Sequence, residues 1–503
     1  MGRTKKFLYN SISAAFLQFV IMIVGFIIPR IMLEYYGSEI NGLVSSITQF
    51  ISYFNLVEAG LATSAIYALY KPLADNDIKN INGIVTAAKN FYNLSGYIFT
   101  SLTIGLAVIY PFFVKTNAVS PLNVGLLVLV LGVTGAMEFF TMSKYRVLLT
   151  ADQKIFVISI TSVIALIINT AIIIVLSKLR VDIVVLRTVA LFSVFARSIL
   201  LYTYVNLKYK YINYHEEPNY KALSKRWDAL YLQILGSIQF GIPVVYATLF
   251  TNLKIVSIYA IYNMVISGIN GLLSMFISGL SASFGDIIAR KDLKLFQKTS
   301  SEFEFIYYSL ITIIYSTTMI LYNPFIKIYT RGITDTNYNL PLTGFLFVLN
   351  GILYNLKTPQ GMLVVSAGMF KETRMQTTIQ ALIIIITGIV LIHYWGLNGM
   401  LLASILSNLY RDIDLMIFIP KYLTKLPVKS TAFKIIKLFI LSSIIWFTSL
   451  AFNINPTNYF SFFGIAICII IYSTIIVAVT TLIFDRDHIT DFVNRIKLLK
   501  GST

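Results

Sequence analysis

Long apolar runs recur along the whole sequence and limit what it can fold into. A helix needs about 20 such residues to cross a bilayer core of roughly 30 Å, and a window of that length finds fourteen candidates. Of the 503 residues, 57% are hydrophobic and 12% are charged, against about a quarter charged in soluble domains. The sequence therefore predicts an all-α integral membrane protein. The candidate helices cover 10–33, 40–69, 91–114, 122–143, 155–177, 183–206, 229–250, 256–288, 303–326, 341–368, 376–394, 398–420, 434–453 and 459–483.

Basic residues collect between the apolar runs, which accounts for the net charge of +18 without any nucleic-acid partner. The termini and every second loop are rich in lysine and arginine, and the basic residues counted in these loops include Lys144, Arg146, Lys154, Lys434 and Lys437. Because such loops face the cytoplasm, both termini are predicted to be cytoplasmic, and an even number of helices agrees with this. The intervening loops hold only Lys115, Lys178, Arg180, Lys254, Lys327 and Arg331.

Signals for catalysis are weak in this sequence. The outward loops are short, the three histidines show no ligand spacing, and no glycine-rich phosphate loop precedes a Lys-Ser/Thr pair. The single cysteine, Cys468, excludes an internal disulfide and makes a cysteine metal site implausible. We therefore expect no catalytic residues, no metal site, no cofactor and no enzymatic activity.

Two of the predicted helices carry polar side chains at helical spacing. In the second, Asn41, Thr48 and Asn55 recur every seven residues and predict one polar face, with Glu58 one turn further on. In the eighth, two asparagines lie beside a stripe of small residues. Each pattern has two interpretations, which are hydrogen bonding and close packing between helices or the lining of a polar cavity. The predicted cavity-lining residues are Asn55, Asn263, Asn270, Asn355 and Gln360.

Several cations fall inside the predicted helices. Three of these cations are each far from the outer end of their own predicted helix, which is the end at the outward-facing loop. At a rise of 1.5 Å per residue, the distance is about 21 Å for Arg197, 24 Å for Lys357 and 18 Å for Arg411. An ionisable group inside the membrane costs about 2.5–3.5 kcal/mol on insertion scales and normally faces a cavity or a partner. Arg30 and Arg187 lie only about 6–7 Å from the outer ends, so snorkelling to water is the alternative there. We predict that all five bind an anionic substrate.

The surroundings of two of these cations suggest different roles. Lys357 lies in NGILYNLKTPQG (350–361), where Pro359 and two glycines interrupt the helix. A broken helix with a cation near the midplane is where transporters hold substrates or coupling ions. Arg411 has Asp414 three residues later, so a structural ion pair is the alternative. The candidates for coupling a proton or sodium ion, or for balancing a neighbouring cation, are Glu58, Glu138 and Asp414.

Three diffuse, mostly apolar segments carry a family resemblance that covers nearly the whole chain. They are IIPRIMLEYYGSEINGLVSSITQFISYFNLVEAGLATSAIYALYKPLADND (27–77), KYRVLLTADQK (144–154) and NLKIVSIYAIYNMVISGINGLLSMFISGLSASFGD (252–286). They resemble the oligosaccharide flippases, the Wzx-like branch of the MOP (MATE/oligosaccharidyl-lipid/polysaccharide) transporter superfamily. Because the motifs are apolar, they point to the family and not to the substrate.

The resemblance implies two six-helix lobes, 1–206 and 229–433, related by a pseudo-twofold axis around a cationic central cavity. A cytoplasmic connector (207–228) would join them, and helices 13 and 14 (434–483) would lie outside the lobes. The tail at 484–503 has apolar residues at helical spacing beside basic ones, which predicts an amphipathic helix on the inner leaflet.

The resemblance also implies the transport activity. An undecaprenyl-diphosphate-linked oligosaccharide would cross from the cytoplasmic to the outer leaflet of a bacterial plasma membrane by alternating access. The pathway would be cell-surface polysaccharide assembly, and capsule, O-antigen, exopolysaccharide and teichoic-type export all stay open. The expected partners are this glycan lipid and the bilayer, with polysaccharide-assembly proteins as a further candidate class.

Two other functions stay open. A MATE-type drug antiporter shares the superfamily fold, although organic cations favour an acidic cavity and the deep charges here lean basic. A membrane-embedded polysaccharide polymerase or ligase is the alternative from another class. The absence of a sizeable external loop with catalytic groups opposes it.

Overall fold

The computed structural model describes residues 3–58, 60–114, 116–220, 227–278, 280–452 and 454–484, which form sixteen α-helices. Residues 221–226 of the predicted connector and 485–503 of the predicted tail lie outside the described residues. A 3₁₀ turn (Asn55–Glu58) and two π-helical turns (Glu138–Met142 and Pro420–Thr424) join some helices. The helices are α1 Arg3–Phe54, α2 Leu61–Asp75, α3 Ile78–Phe113, α4 Pro121–Met137, α5 Ser143–Ala151, α6 Ile155–Lys178, α7 Ile183–Lys208, α8 Trp227–Phe250, α9 Leu253–Ser278, α10 Leu280–Ala289, α11 Leu293–Tyr329, α12 Pro341–Leu356, α13 Thr358–Ala367, α14 Arg374–Ile419, α15 Val428–Ser449 and α16 Tyr459–Phe484.

Eleven helical runs within the described residues are long and apolar enough to cross a membrane. Two of them bend sharply, α1 at Gly37 (φ 80°) and α14 at Gly396 (φ 52°), which are backbone conformations that favour glycine. Each bend separates two of the predicted helices. The predicted tenth helix is divided into α12 and α13, which are short. The all-α membrane class is confirmed, and the count differs from fourteen because bends join predicted segments and a break divides one.

A distant acid caps the second half of α1, directly after the bend at Gly37. The backbone nitrogen and the hydroxyl of Ser38 each donate a hydrogen bond of 2.7 Å to the carboxylate of Asp335. Lys254 donates to the backbone oxygen of the same residue at 2.8 Å. Because the first N–H groups of a helix have no partner within it, this carboxylate stabilises the new helical start.

The predicted second helix does not run unbroken from 40 to 69. α1 gives way to the 3₁₀ turn, and α2 begins only after Gly60, whose φ is 78°. A 3₁₀ turn has three residues per turn, so Asn55 and Glu58 leave the α-helical face predicted for them. Asn55 is exposed, whereas Asn41 donates a 2.7 Å hydrogen bond to Ser257 of α9. The interhelical interpretation is therefore correct for Asn41.

Internal contacts divide the chain into two compact units. Unit 1 is Met1–Met264 with Ile333–Thr336, and unit 2 is Val265–Gly332 with Asn337–Thr503. Unit 1 contains one large apolar core to which α1 to α7 contribute. In unit 2, smaller apolar clusters surround α11, against which α12, α15 and α16 pack. The limits of the predicted lobes stay a prediction.

Just after α5, Asp152 accepts hydrogen bonds from three side chains of unit 1. The donors are Lys6 Nζ at 2.9 Å, Lys154 Nζ at 2.8 Å and Tyr209 Oη at 2.6 Å. Burial raises the pKa of the Asp152 carboxyl, but the hydrogen bonds outweigh it and hold the pKa below its usual value of 3.8. We call these four residues the Asp152 latch, since they fasten the first turns of α1 to the α5–α6 turn.

Candidate functional site

In unit 1, one carboxylate joins two arginines that lie on different helices. Glu138 begins the π-helical turn between α4 and α5. Its Oε2 lies 3.2 Å from Nη1 of Arg197 on α7, and its Oε1 accepts a hydrogen bond from Nη1 of Arg146 on α5. π-Helical turns are rare and occur often at functional sites. The structure thus brings two predicted residues, Glu138 and Arg197, into one ionic cluster, which we call the Glu138 cluster.

Arg146 is the member of this cluster that sequence reasoning missed, because it counted Arg146 among the basic residues of a loop. The chain is still helical there, so the guanidinium can reach an acid eight residues earlier. An acid and an arginine at that spacing, without a turn residue between them, were the available signal. Glu58 also interacts electrostatically with Arg146, so the cluster contains two arginines and two acids.

The two outer cations of unit 1 have different surroundings. Arg30 lies 3.6 Å from Glu34 one turn later on α1, and its side chain is 27% exposed. Arg187 lies near the start of α7, close to Tyr36 of α1. Its Nε is buried without a hydrogen-bond partner among the described residues, as is the Nε of Arg197. Both guanidinium groups therefore keep donors that an anionic ligand could use.

In unit 2, Lys357 lies at the break between α12 and α13 that Pro359 predicts. Its Nζ donates a hydrogen bond to Oδ1 of Asn408, and Asn408 Nδ2 donates to Asn350 at 2.8 Å. Asp412, one turn after Asn408 on α14, interacts electrostatically with Lys357. Both carboxylate oxygens of Asp412 are buried, and neither has a hydrogen-bond partner in the described part of the chain.

Sequence reasoning missed Asp412 because its neighbours Arg411 and Asp414 offered an obvious local pair. That pair is present, since Arg411 Nη1 contacts Asp414 Oδ2, with side chains 9% and 18% exposed. The ion pair offered as the alternative for Arg411 is therefore what this conformation contains. On a helix, Arg411 and Asp412 point about 100° apart, so adjacent charges serve different partners.

Asn355, predicted to line a cavity, lies in a buried network of unit 2 and is 2% exposed. Its Nδ2 donates to Asn270 Oδ1 at 2.8 Å, and its Oδ1 accepts from the hydroxyl of Tyr307 at 2.8 Å. Two further predicted lining residues differ in exposure: Asn263 is partly buried and Asn55 is exposed. Access of a substrate to these side chains stays a prediction.

Gln360, the remaining predicted lining residue, is 3% exposed and bonded within unit 2. Its Nε2 donates to Tyr308 at 2.6 Å and to Glu304 at 3.2 Å. Glu304 is itself buried and lies 3.1 Å from Lys434 of α15. Sequence reasoning missed this pair because Lys434 was assigned to a basic loop and Glu304 was not singled out.

The Glu138 cluster of unit 1 and the group of Lys357, Arg411, Asp412 and Asp414 in unit 2 share a chemical property. In each, deep cations are balanced by carboxylates of the same unit, so neither cluster has a large excess of one charge. A buried cation needs a counter-charge, which can be a side chain or an anionic ligand that replaces it. Within the described residues, no group of three or more His, Cys, Asp or Glu is placed to hold a metal ion.

Comparison with known proteins places the fold. No family model matches the chain, and no curated protein matches its sequence. A structure of the lipid II flippase MurJ in an inward closed conformation matches 96% of this chain and 100% of its own, with 16% identity and a TM-score of 0.69. An inward-facing multidrug resistance MATE family transporter of the MOP superfamily matches 86% of this chain and 99% of its own, with 13% identity and a TM-score of 0.63.

A third structure adds information on pocket charge. It is a MOP superfamily transporter from Pyrococcus furiosus, described as having a binding pocket of reverse polarity and a different function. It matches 85% of this chain and 96% of its own, with 13% identity and a TM-score of 0.59. At these identities the likeness concerns the fold alone. The chain has the fold of the MOP-superfamily transporters.

Proposed function

We propose that this protein is a flippase that moves an undecaprenyl-diphosphate-linked oligosaccharide from the cytoplasmic to the outer leaflet of a bacterial plasma membrane. The observation that carries the proposal is the extent of the likeness to the lipid II flippase, which includes nearly all of both chains. The MATE family structure and the Pyrococcus structure described above each leave about one seventh of this chain unmatched.

The charge clusters support an anionic substrate through exchange of counter-ions. Glu138 contacts both Arg146 and Arg197, and its charge offsets part of the desolvation of the two cations. A diphosphate carries more negative charge than one carboxylate and offers more acceptors to the planar guanidinium groups. We assign Glu138 the role of an internal counter-ion that the diphosphate displaces, with Glu58 as the acid that balances Arg146.

Unit 2 holds two further cations that we assign to substrate binding. Lys357 donates a hydrogen bond to Asn408, and Arg411 is paired with Asp414. Arg30 and Arg187 would form an outer group that meets the headgroup nearer the end of its path. Moving a lipid-linked sugar between leaflets breaks no bond, so the protein needs only to shield the charged headgroup while the lipid tail stays in the bilayer.

Substitution of the deep cations tests this function. Arg197→Gln and Lys357→Gln each remove charge-assisted hydrogen bonds of about 1.5–3 kcal/mol, or about 10–100-fold in affinity. In a host depleted of the protein, each variant should accumulate an undecaprenyl-diphosphate oligosaccharide that mass spectrometry detects and identifies. Arg290→Gln is the matched control, because it removes an ion-paired arginine whose side chain is 72% exposed.

Two results would contradict the proposal. Full export by both variants at normal protein levels would show that the deep cations do not bind substrate. An unchanged pool of polyprenyl lipids on depletion, in a host where no second flippase substitutes, would show that the protein does not flip such lipids.

A MATE-type cation antiporter is the second candidate, and one observation favours it. The buried, unbonded carboxylate of Asp412 suits a cation, whether a proton, a sodium ion or an organic cation. If this function is correct, cells that express the protein should gain drug resistance, and Asp412→Asn should remove the gain without changing protein levels.

A further inference from the structure

Two lysines of unit 1 converge on one tyrosine ring, away from the Glu138 cluster. Lys89 of α3 and Lys144 of α5 have their Nζ atoms 5.5 and 5.2 Å from the ring centroid of Tyr214. Lys144 Nζ also lies 5.1 Å from the ring of Tyr145, and the two tyrosine rings are 6.4 Å apart edge to face. We call these four residues the lysine–tyrosine site.

Hydrogen bonds between the start of α3 and the backbone on both sides of Tyr214 hold this segment in place. Asn82 donates to the carbonyl of Tyr211 at 3.1 Å and accepts from the nitrogen of Asn213 at 3.1 Å. The nitrogen of Asn219 donates to the carbonyl of Gly83 at 3.0 Å. The two backbones are close here, since a Cβ at Gly83 would lie 3.0 Å from the backbone oxygen of Glu217. The hydroxyl of Tyr214 is not used in this anchoring, since its oxygen is buried without a hydrogen-bond partner among the described residues.

The charges of this site lack a counter-ion. Among the described residues, neither Lys89 nor Lys144 has its Nζ within 4.0 Å of a carboxylate oxygen. This holds even though two glutamates, Glu216 and Glu217, lie two and three residues after Tyr214 and His215 lies between. The other clustered cations of unit 1 do have such partners, in the Asp152 latch and at Glu138. Attraction to an aromatic face only partly replaces an ion pair. Two close ammonium groups and an unused hydroxyl donor therefore form a place for an anion that accepts several hydrogen bonds.

We infer that the lysine–tyrosine site is the first docking point for the diphosphate headgroup at the cytoplasmic face, from which the headgroup passes to the Glu138 cluster. This inference rests on the proposed flippase function. A phosphate group matches the site because it accepts hydrogen bonds from ammonium and hydroxyl donors together. Lys144 and Arg146 lie two residues apart on α5, a rise of about 3 Å, with their side chains about 200° apart around the helix.

Binding to the full-length purified protein tests the inference. The probes are undecaprenyl diphosphate and inorganic diphosphate, titrated by native mass spectrometry against wild type and the double variant Lys89→Gln/Lys144→Gln. We expect the double variant to bind undecaprenyl diphosphate at least tenfold more weakly. Lys79→Gln, at an exposed position on α3, should bind like wild type. Lys89→Arg/Lys144→Arg keeps both charges and should recover most of the binding.

Transport kinetics provide a readout that a purely structural role would not move. Loss of a docking point should raise the KM for the lipid-linked substrate while leaving kcat within about twofold. Equal binding and an equal KM for wild type and the glutamine variant would overturn the inference and leave the flippase function intact. The inference would also be overturned if the two lysines were needed for binding inorganic diphosphate but not undecaprenyl diphosphate, since this would identify a site for free phosphates. A wild-type protein that neither binds nor flips the lipid would instead refute the flippase function.

Discussion

Glu304 and Lys434 form the buried ion pair of unit 2 whose loss can be assigned a magnitude. Their side chains are 8% and 11% exposed, and Nζ lies 3.1 Å from Oε2. Thr431 donates to Oε2 at 3.1 Å and Gln360 to Oε1 at 3.2 Å, so the carboxylate connects α11, α13 and α15. Glu304→Gln keeps the size of the side chain and leaves the ammonium without its counter-charge.

The expected cost follows from burial. Removing one partner of a buried ion pair costs about 3–5 kcal/mol, because the other charge stays desolvated. For a cooperative unit of 150–250 residues, 1 kcal/mol lowers Tm by about 2–4 °C, so we expect a decrease of about 6–20 °C. Lys434→Met should cost a similar amount, and the double variant Glu304→Gln/Lys434→Met much less than the sum of the two, since no charge is left unpaired.

The assay is thermal unfolding of the purified protein in detergent, followed by tryptophan fluorescence. Trp446 lies on α15, the helix that carries Lys434, and reports its detachment. Glu372→Gln is the control, because it makes the same change at an exposed position of unit 2 and should leave Tm unchanged. A Tm within about 1 °C of wild type for Glu304→Gln, or additive effects in the double variant, would refute the reasoning about this pair.

Two further predictions concern unit 1. A Cβ at Gly42 would lie 1.8 Å from the backbone oxygen of Leu253. Gly42→Ala should therefore prevent close packing of α1 on α9 and abolish stable expression. Gly25→Ala is the control: a Cβ there would have nothing within 4 Å, so the variant should be neutral or stabilise by about 0.5–1 kcal/mol. Asp152→Asn should destabilise by about 1.5–3 kcal/mol at neutral pH through loss of the latch. Because the pKa of Asp152 is lowered, its stabilisation is present above the unfolded pKa of about 3.9 and is lost as pH falls through the lower folded pKa. Thermal unfolding should therefore show a constant difference between wild type and this variant from pH 8 to pH 5 and a shrinking one below about pH 4; a difference that disappears by pH 6 would contradict the assignment.

The break at Lys357 shows how far local sequence reasoning reaches. Pro359 lacks an N–H group and disfavours helix in the residue before it, so a proline two residues after a lysine predicts an interruption there. The structure ends α12 at Leu356 and begins α13 at Thr358. The prediction needed no partner from elsewhere in the chain, which is why it is confirmed.

The partners of the deep charges could not be predicted in the same way. Arg197 meets Glu138 across 59 positions of sequence, and Glu304 meets Lys434 across 130. Only Arg411, whose acid lies three residues away, had its partner predicted. Charges interact through space, and one sequence contains no record of which helices become neighbours.

The sequence by itself determined that this chain is a helical membrane protein, because the bilayer requires every backbone polar group to be bonded within its own helix and so imposes a length and composition on each span. It also determined the break at Lys357, which depends on the geometry of one proline. The tertiary structure decided which carboxylate balances which cation, where α1 bends against Asp335, and that Lys89 and Lys144 meet at one tyrosine ring. These outcomes depend on the packing of distant helices, whose energy is shared among many small contacts that no single stretch of sequence contains.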